Sequence, residues 1–88
     1  MPYIVKQNRK IFDGQMKALL RTVKSVSSGE LNYIITRIVL ARLANTLIPS
    51  YEDYNSVIGA LECAKLELYR RRLSLLEDRK AIENGDVY

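Results

Sequence analysis

The segment from Ser50 to Lys80 constrains the fold of this sequence most, because it is the longest stretch with an uninterrupted helical pattern. It contains no proline and a single glycine, Gly59. Its apolar and aromatic residues recur on one stripe at helical spacing, and these are Tyr54, Ile58, Leu61, Leu68 and Leu75. A helix with such a stripe buries it against another element. We therefore expect the rest of the chain to pack around this helix.

The length of this helix also predicts self-association. At ~1.5 Å per residue it would extend roughly 45 Å, more than a domain of this size covers. We expect one of two outcomes. Either the helix bends or breaks near Gly59, or its far half, between Leu68 and Leu75, packs on another subunit. A chain of 88 residues supports only a small core, and its single cysteine, Cys63, excludes an internal disulfide. The sequence therefore predicts one domain, residues 1–88, that forms a homo-oligomer.

The region before this segment predicts a first amphipathic helix. Met1–Val5 is expected to be extended, and Gln7–Phe12 to form one helical turn. Asp13 stands where an N-cap belongs, because its carboxylate can accept backbone N–H bonds from the turn that follows. The apolar positions of this helix are Met16, Leu19, Leu20, Val23 and Val26. Its end is predicted at Ser27–Gly29, where glycine can take the left-handed conformation.

A second helix is predicted from about Glu30 to Pro49. Apolar residues surround most of its circumference, so we expect it to be the most buried of the three helices. The β-branched run Ile34–Val39 would also suit a strand, but the alternation of a strand is missing. Arg37 and Arg42 interrupt the apolar run and argue against a membrane span.

The third helix follows Pro49 and has its own start signal. Ser50 and Asp53 have the spacing of a capping box, with aspartate in place of the usual glutamate. The helix is predicted to continue to about Lys80. Together these patterns predict an all-α fold: a three-helix domain with a long C-terminal helix that assembles through helix packing.

The composition argues against an enzyme. The chain has no histidine and no thiol cluster, so neither a zinc site nor the usual nucleophile–base pairs are expected, and no cofactor is indicated. Glu62 and Glu67 differ in helical phase and cannot form a carboxylate pair on one helix. The lone cysteine and the lack of a signal-peptide pattern indicate the reducing cytoplasm.

Polar residues beside the apolar stripe predict anion recognition instead. Glu62, Lys65, Tyr69 and Arg72 share one helix face, and Tyr33 and Arg37 offer a second tyrosine–arginine pair. Arginine donates two hydrogen bonds to a phosphate, lysine adds a point charge, and tyrosine can stack on a base.

The same residues also have a purely structural interpretation. Glu67 is spaced for ion pairs with Arg70 and Arg71, and Glu62 for one with Lys65, so the cluster would neutralise itself. Glu62 or Glu67 would also serve Arg37, which needs a partner on so apolar a helix.

Binding of double-stranded DNA is the rival functional interpretation, and the net charge of +4 is compatible with it. The chain up to Lys24 is basic, with only Asp13 opposing its lysines and arginines: Lys6, Arg9, Lys10, Lys17, Arg21 and Lys24. Arg70–Arg72 adds a basic triplet. However, three consecutive arginines point around a helix, and the sequence has no helix-turn-helix turn and no phosphate-binding glycine loop.

Four stretches of the sequence are distinctive: Met1–Ile4 (MPYI), the LNYIITR run Leu31–Arg37, the LECAKLELYRR run Leu61–Arg71 and the ENGDVY ending Glu83–Tyr88. Together they resemble a family of uncharacterised proteins of about this length from bacteria, archaea and their phages. The family has no assigned activity. Gly14 follows Asp13 where the family pattern has proline, which bears on the start of the first helix.

The resemblance implies a setting and a site. Small helical phage proteins include oligomers that sequester nucleotide signals of host immunity, and this chain is similar to them in size, class and expected oligomerisation. A sponge of this type would bind an anionic nucleotide where family-like polar residues converge. The expected ligand-binding residues are Tyr33, Arg37, Glu62, Lys65, Tyr69, Arg70, Arg72 and Tyr88. A nucleic-acid-binding, protein-interaction or regulatory module is the alternative.

Overall fold

The computed structural model describes residues 2–88, so Met1 and the extended conformation predicted for it lie outside the described residues. The elements are α1 (Lys6–Val23), α2 (Ser28–Leu43), α3 (Tyr51–Leu68), a π-helical turn (Tyr69–Leu73) and α4 (Ser74–Asn84). The last three follow one another directly and form a long C-terminal helix of 34 residues. No strand occurs in residues 2–88. The predicted all-α fold with a long C-terminal helix is confirmed.

The described chain divides into two compact units, Pro2–Val57 and Ile58–Tyr88. The first contains α1, α2 and the beginning of α3. The second contains the remainder of the long helix and the C-terminal segment. The single domain expected from the chain length stays a prediction. Within residues 2–88, no helix combines the length and the apolar character that crossing a membrane requires.

The first helix begins earlier than predicted. It starts at Lys6 after Val5, which supplies no side-chain cap, and the Asn8 amide donates to the Val5 carbonyl at 2.9 Å. The Arg9 Nε donates to the Ile4 carbonyl at 2.8 Å and fixes the extended segment against the helix. Asp13 lies inside the helix, so its predicted N-cap role is wrong. Residues 6–12 include lysine, arginine and glutamine, which favour continuing the helix through this point.

The predicted end of the first helix at Ser27–Gly29 is wrong as well. The helix α1 ends at Val23, and Ser27 is the N-cap of α2. Ser27 Oγ accepts a hydrogen bond from the Glu30 amide at 3.1 Å, and a Glu30 carboxylate oxygen accepts one from the Ser27 amide at 2.9 Å. This reciprocal capping box satisfies amides that the first turn of a helix leaves without partners. The Ser27 backbone and side-chain hydrogen bonds lower the pKa of Glu30.

The capping box predicted before the third helix is confirmed. Asp53 Oδ2 accepts from the Ser50 amide at 2.7 Å and from the Ser50 hydroxyl at 2.9 Å. The Asp53 amide donates back to Ser50 Oγ at 3.2 Å. These bonds, first that of the Ser50 backbone and then that of its side chain, lower the pKa of Asp53.

The prediction that the second helix is the most buried is wrong. Val57 on α3, at 8% exposure, is the one buried apolar side chain of the described chain, and α2 contains none. Ile38 on α2 is 56% exposed. A helix that is apolar around most of its circumference needs neighbours on several sides, and a single chain this short does not supply them. A large apolar surface is therefore left to solvent.

Candidate functional site

A π-helical turn interrupts the long C-terminal helix at Tyr69–Leu73, within the unit Ile58–Tyr88. The Ser74 amide donates to the Tyr69 carbonyl, five residues back, instead of to the Arg70 carbonyl. The Ser74 hydroxyl donates to the Arg70 carbonyl at 2.7 Å. The side chain therefore supplies the donor that the π turn removes from that carbonyl. Single π turns inside α-helices are frequent at functional sites.

The π turn changes which leucines share a face. Bonding from i to i+5 adds about one residue to the turn, so positions beyond it are shifted by about one residue relative to a regular helix. Leu68 therefore lies above Leu76, although the seven-residue spacing of the sequence pairs it with Leu75. Their exposures agree with this shift, since Leu75 is 59% and Leu76 41% exposed.

A groove of about 420 Å³ follows this helix face. Six residues line it: Lys65, Leu68, Tyr69, Arg72, Leu73 and Leu76. The groove thus unites three of the predicted site residues with an apolar surface. That surface is almost entirely apolar, so Lys65, Tyr69 and Arg72 contribute mainly their carbon atoms to it. The groove can contact an apolar or aromatic part of a ligand, and the polar ends of these three side chains can turn toward an anionic group of the same ligand.

Two ion pairs partly neutralise the predicted cluster. Lys65 Nζ lies 3.0 Å from a Glu62 carboxylate oxygen, and both side chains are largely exposed. The Arg70 guanidinium donates to the carboxylate of Glu67 through two nitrogens, with Nε at 3.0 Å. These pairs confirm two contacts of the self-neutralising interpretation. Within residues 2–88, Arg72 forms no ion pair, so its charge is free to meet a ligand in the groove.

The remaining predicted site residues lie elsewhere. On α2, in the unit Pro2–Val57, the Arg37 guanidinium donates to the Tyr33 hydroxyl at 2.9 Å and lies 5.9 Å from the centre of the Tyr33 ring. This confirms the second tyrosine–arginine pair and gives Arg37 a partner on its own helix. Tyr88 lines a different hollow at the end of the chain, together with Asp86 and Ala81.

Sequence reasoning missed three residues of this region: Leu73, Ser74 and Leu76. The leucines were missed because a regular helical period assigns the seam to Leu75. Ser74 offered the available signal, since a serine inside a helix can donate to the carbonyl four residues back and bend the helix. That signal was visible in the spacing of Arg70 and Ser74.

Comparison with protein families assigns the chain to one family. The family model described as a domain of unknown function, DUF6899, matches residues 1–87. The chain belongs to this family. Comparisons with curated proteins and with solved structures give no match.

Proposed function

We propose that this protein is a non-catalytic, self-associating protein that binds a small anionic nucleotide in the groove between Lys65 and Leu76. The observation that supports it best is that Lys65, Tyr69 and Arg72 line one apolar groove together with Leu68, Leu73 and Leu76. Arg72 suits a phosphate through paired donors, and Lys65 adds a second positive charge. Tyr69 and the leucines suit the faces of a base.

The groove volume fits this ligand class. Ligand sites typically measure about 300–1,000 Å³, and the groove lies in the lower part of that range. A cyclic or modified mononucleotide or dinucleotide is the ligand we propose. The groove offers donors and an apolar contact but no histidine, and the sequence contains none, so we propose binding without turnover.

Self-association is the second part of the proposal, and the exposed apolar side chains of the unit Ile58–Tyr88 support it. Ile58, Leu66, Leu68 and Leu75 are each more than half exposed. We propose a second copy of this chain as the occupant. Residues 2–88 bury a single apolar side chain, Val57, so the chain needs a partner that is always present.

The groove and the interface support each other in this proposal. Leu68 is 63% exposed in a single chain although it lines the groove. A second copy packed along this face would cover the leucines and close the groove over its ligand. Excluding water there would strengthen the bonds between a phosphate and Arg72 or Lys65, because charges interact more strongly at lower dielectric.

The biological role we propose is sequestration of a nucleotide signal of host immunity in the cytoplasm. This step is an analogy with small oligomeric phage proteins, and it requires the family to occur in phages or prophages. A sponge needs tight binding, high copy number and no chemistry, and the proposed site meets the last of these.

A thermal-shift screen against mono-, di- and cyclic nucleotides tests the ligand. A nucleotide present at ~100 times its Kd adds about 2.7 kcal/mol to the free energy of unfolding. For a chain of this size that corresponds to a rise in Tm on the order of 10 °C. Chromatography of the recovered nucleotide should show it unchanged. A panel without any shift, or a converted nucleotide, contradicts the proposal.

A further inference from the structure

A second basic surface lies on α1, in the unit Pro2–Val57. Five of its basic residues fall within about 60° of one another at 3.6 residues per turn. They are Lys6, Lys10, Lys17, Arg21 and, at the C-cap, Lys24, and all five are exposed. We call these residues the cationic row. It extends over about 27 Å of helix.

The cationic row contains no ion pair within the described part of the chain. The ion pairs of residues 2–88 join Lys65, Arg70 and Lys80 to glutamates three residues away, and none involves α1. Asp13 flanks the row without pairing to it, and the first turn of α1 contains no acidic residue. Like charges four residues apart destabilise a helix, and a lysine at its N-terminus opposes the helix dipole. An anionic partner would remove both costs.

The placement of the row favours nucleic acid over a lipid surface. Leu19 and Val23, on the opposite side of α1, are half-buried. A helix that lies in a membrane interface inserts its apolar face and keeps its charges beside it. Here Leu19 and Val23 lie about 140° from the row, so these two side chains cannot insert into the flat surface that the row contacts.

We propose that the cationic row binds the phosphate backbone of double-stranded DNA without reading its sequence. A straight row of charges follows a rigid backbone, and its five members would contact up to five phosphates. The row includes no aromatic side chain, which a single-stranded site uses to stack on bases. It also includes no asparagine or glutamine, the side chains that read adenine through paired hydrogen bonds. This site is independent of the nucleotide groove, which lies in the other unit.

Titration of the full chain with a 20-base-pair duplex of mixed sequence at several salt concentrations tests this proposal. The logarithm of the binding constant falls by about 0.9 per phosphate contacted for each tenfold increase in salt. Five contacts predict a slope of about −4.5, a several-hundred-fold loss between 50 and 200 mM salt. The variant Lys17→Gln, Arg21→Gln should reduce the magnitude of the slope by about 1.8. Glutamine keeps the helix, since its helix propensity is close to that of lysine and arginine.

Three matched variants separate the row from the net charge of the chain. The double variant Arg79→Gln, Lys80→Gln also removes two positive charges, but from α4 instead of from the row. It should leave the slope unchanged. Arg21→Lys should also leave it unchanged, and Asp13→Asn should tighten binding. Equal losses in the α4 variant and the row variant would overturn the proposal. So would a duplex that does not bind at 50 mM salt, or binding only to vesicles that contain anionic lipid.

Discussion

The Ser74 hydroxyl donates to the Arg70 carbonyl at 2.7 Å, while the Ser74 amide donates to the carbonyl of Tyr69. Ser74 thus donates twice. Its amide makes the π-type bond to Tyr69, and its hydroxyl takes the place of that amide at the Arg70 carbonyl. This arrangement explains how the long C-terminal helix crosses the Tyr69–Leu73 turn without leaving the Arg70 carbonyl unpaired.

Replacing Ser74 by alanine should return this turn to an α-helix. Without the hydroxyl, the Arg70 carbonyl regains a donor only if the residue-74 amide moves back to it. Scalar coupling across the hydrogen bond by NMR measures this directly. Wild type should couple the Ser74 nitrogen to the Tyr69 carbonyl carbon, and Ser74→Ala should couple it to Arg70. Ser74→Thr keeps a hydroxyl and serves as the control; coupling to Tyr69 in the alanine variant would refute the role of the side chain.

Leu75 and Leu76 form a matched pair for the proposed interface. The π turn brings Leu76, not Leu75, onto the groove with Leu68. Lysine at position 76 would bury a charge between two copies, whereas lysine at 75 would remain exposed. We expect Leu76→Lys to reduce the mass seen by light scattering to that of one chain, 10.1 kDa, and Leu75→Lys to leave the oligomer intact. A monomeric wild type, or dissociation in the Leu75 variant alone, would count against the interface.

The two capping boxes predict how acid affects stability. The bonds to Ser27 and Ser50 lower the pKa values of Glu30 and Asp53 in the folded chain. The folded state therefore binds fewer protons than the unfolded state between the two pKa values of each group. The contribution of these two carboxylates to stability is complete above the pKa values that they have in the unfolded chain, near pH 4. It declines as the pH falls through their lowered pKa values in the folded chain.

Urea unfolding between pH 2 and pH 6 measures this effect. The double variant Glu30→Gln, Asp53→Asn retains acceptor oxygens but cannot titrate, so its stability should depend less on pH in the acid range. Ser27→Ala, which removes one acceptor, should cost about 1 kcal/mol at neutral pH. Ser28→Ala is its control, since no cap bond uses that side chain. Identical acid profiles for wild type and double variant would show that other groups control the acid transition.

Much of the local structure could be predicted from sequence because it depends on short spacings. The Ser50–Asp53 capping box, the Glu62–Lys65 pair and the Tyr33–Arg37 pair each join residues three or four apart, which one helical turn brings together. The helices were predictable for the same reason. Three boundaries were not: the start and the end of the first helix, and the end of the second helix, which was expected at Pro49 and lies at Leu43. The start was missed because Asp13 suits an N-cap and also tolerates a helix interior when strong helix formers precede it.

The features that a regular period cannot express were missed. We expected an irregularity near Gly59, but α3 continues through Gly59 and the π turn lies at Tyr69–Leu73. The Ser74 hydrogen bond that accompanies this turn is not recorded by any hydrophobic pattern. Burial was mispredicted because the sequence shows which residues are apolar but not whether the same chain covers them. The proposed second copy of the chain would cover these exposed apolar side chains.

Calorimetric titration of the nucleotide that raises the Tm most, into three forms of the protein, tests the central claim most directly. Lys65→Ala, Tyr69→Ala removes a charge and a stacking surface from the groove, so its affinity should fall at least tenfold with helicity and mass unchanged. Glu62→Gln frees Lys65 from its ion pair and should bind as tightly as wild type or more tightly. Wild-type affinity in the double variant, or loss of binding in Glu62→Gln alone, would contradict the claim that this groove is the binding site.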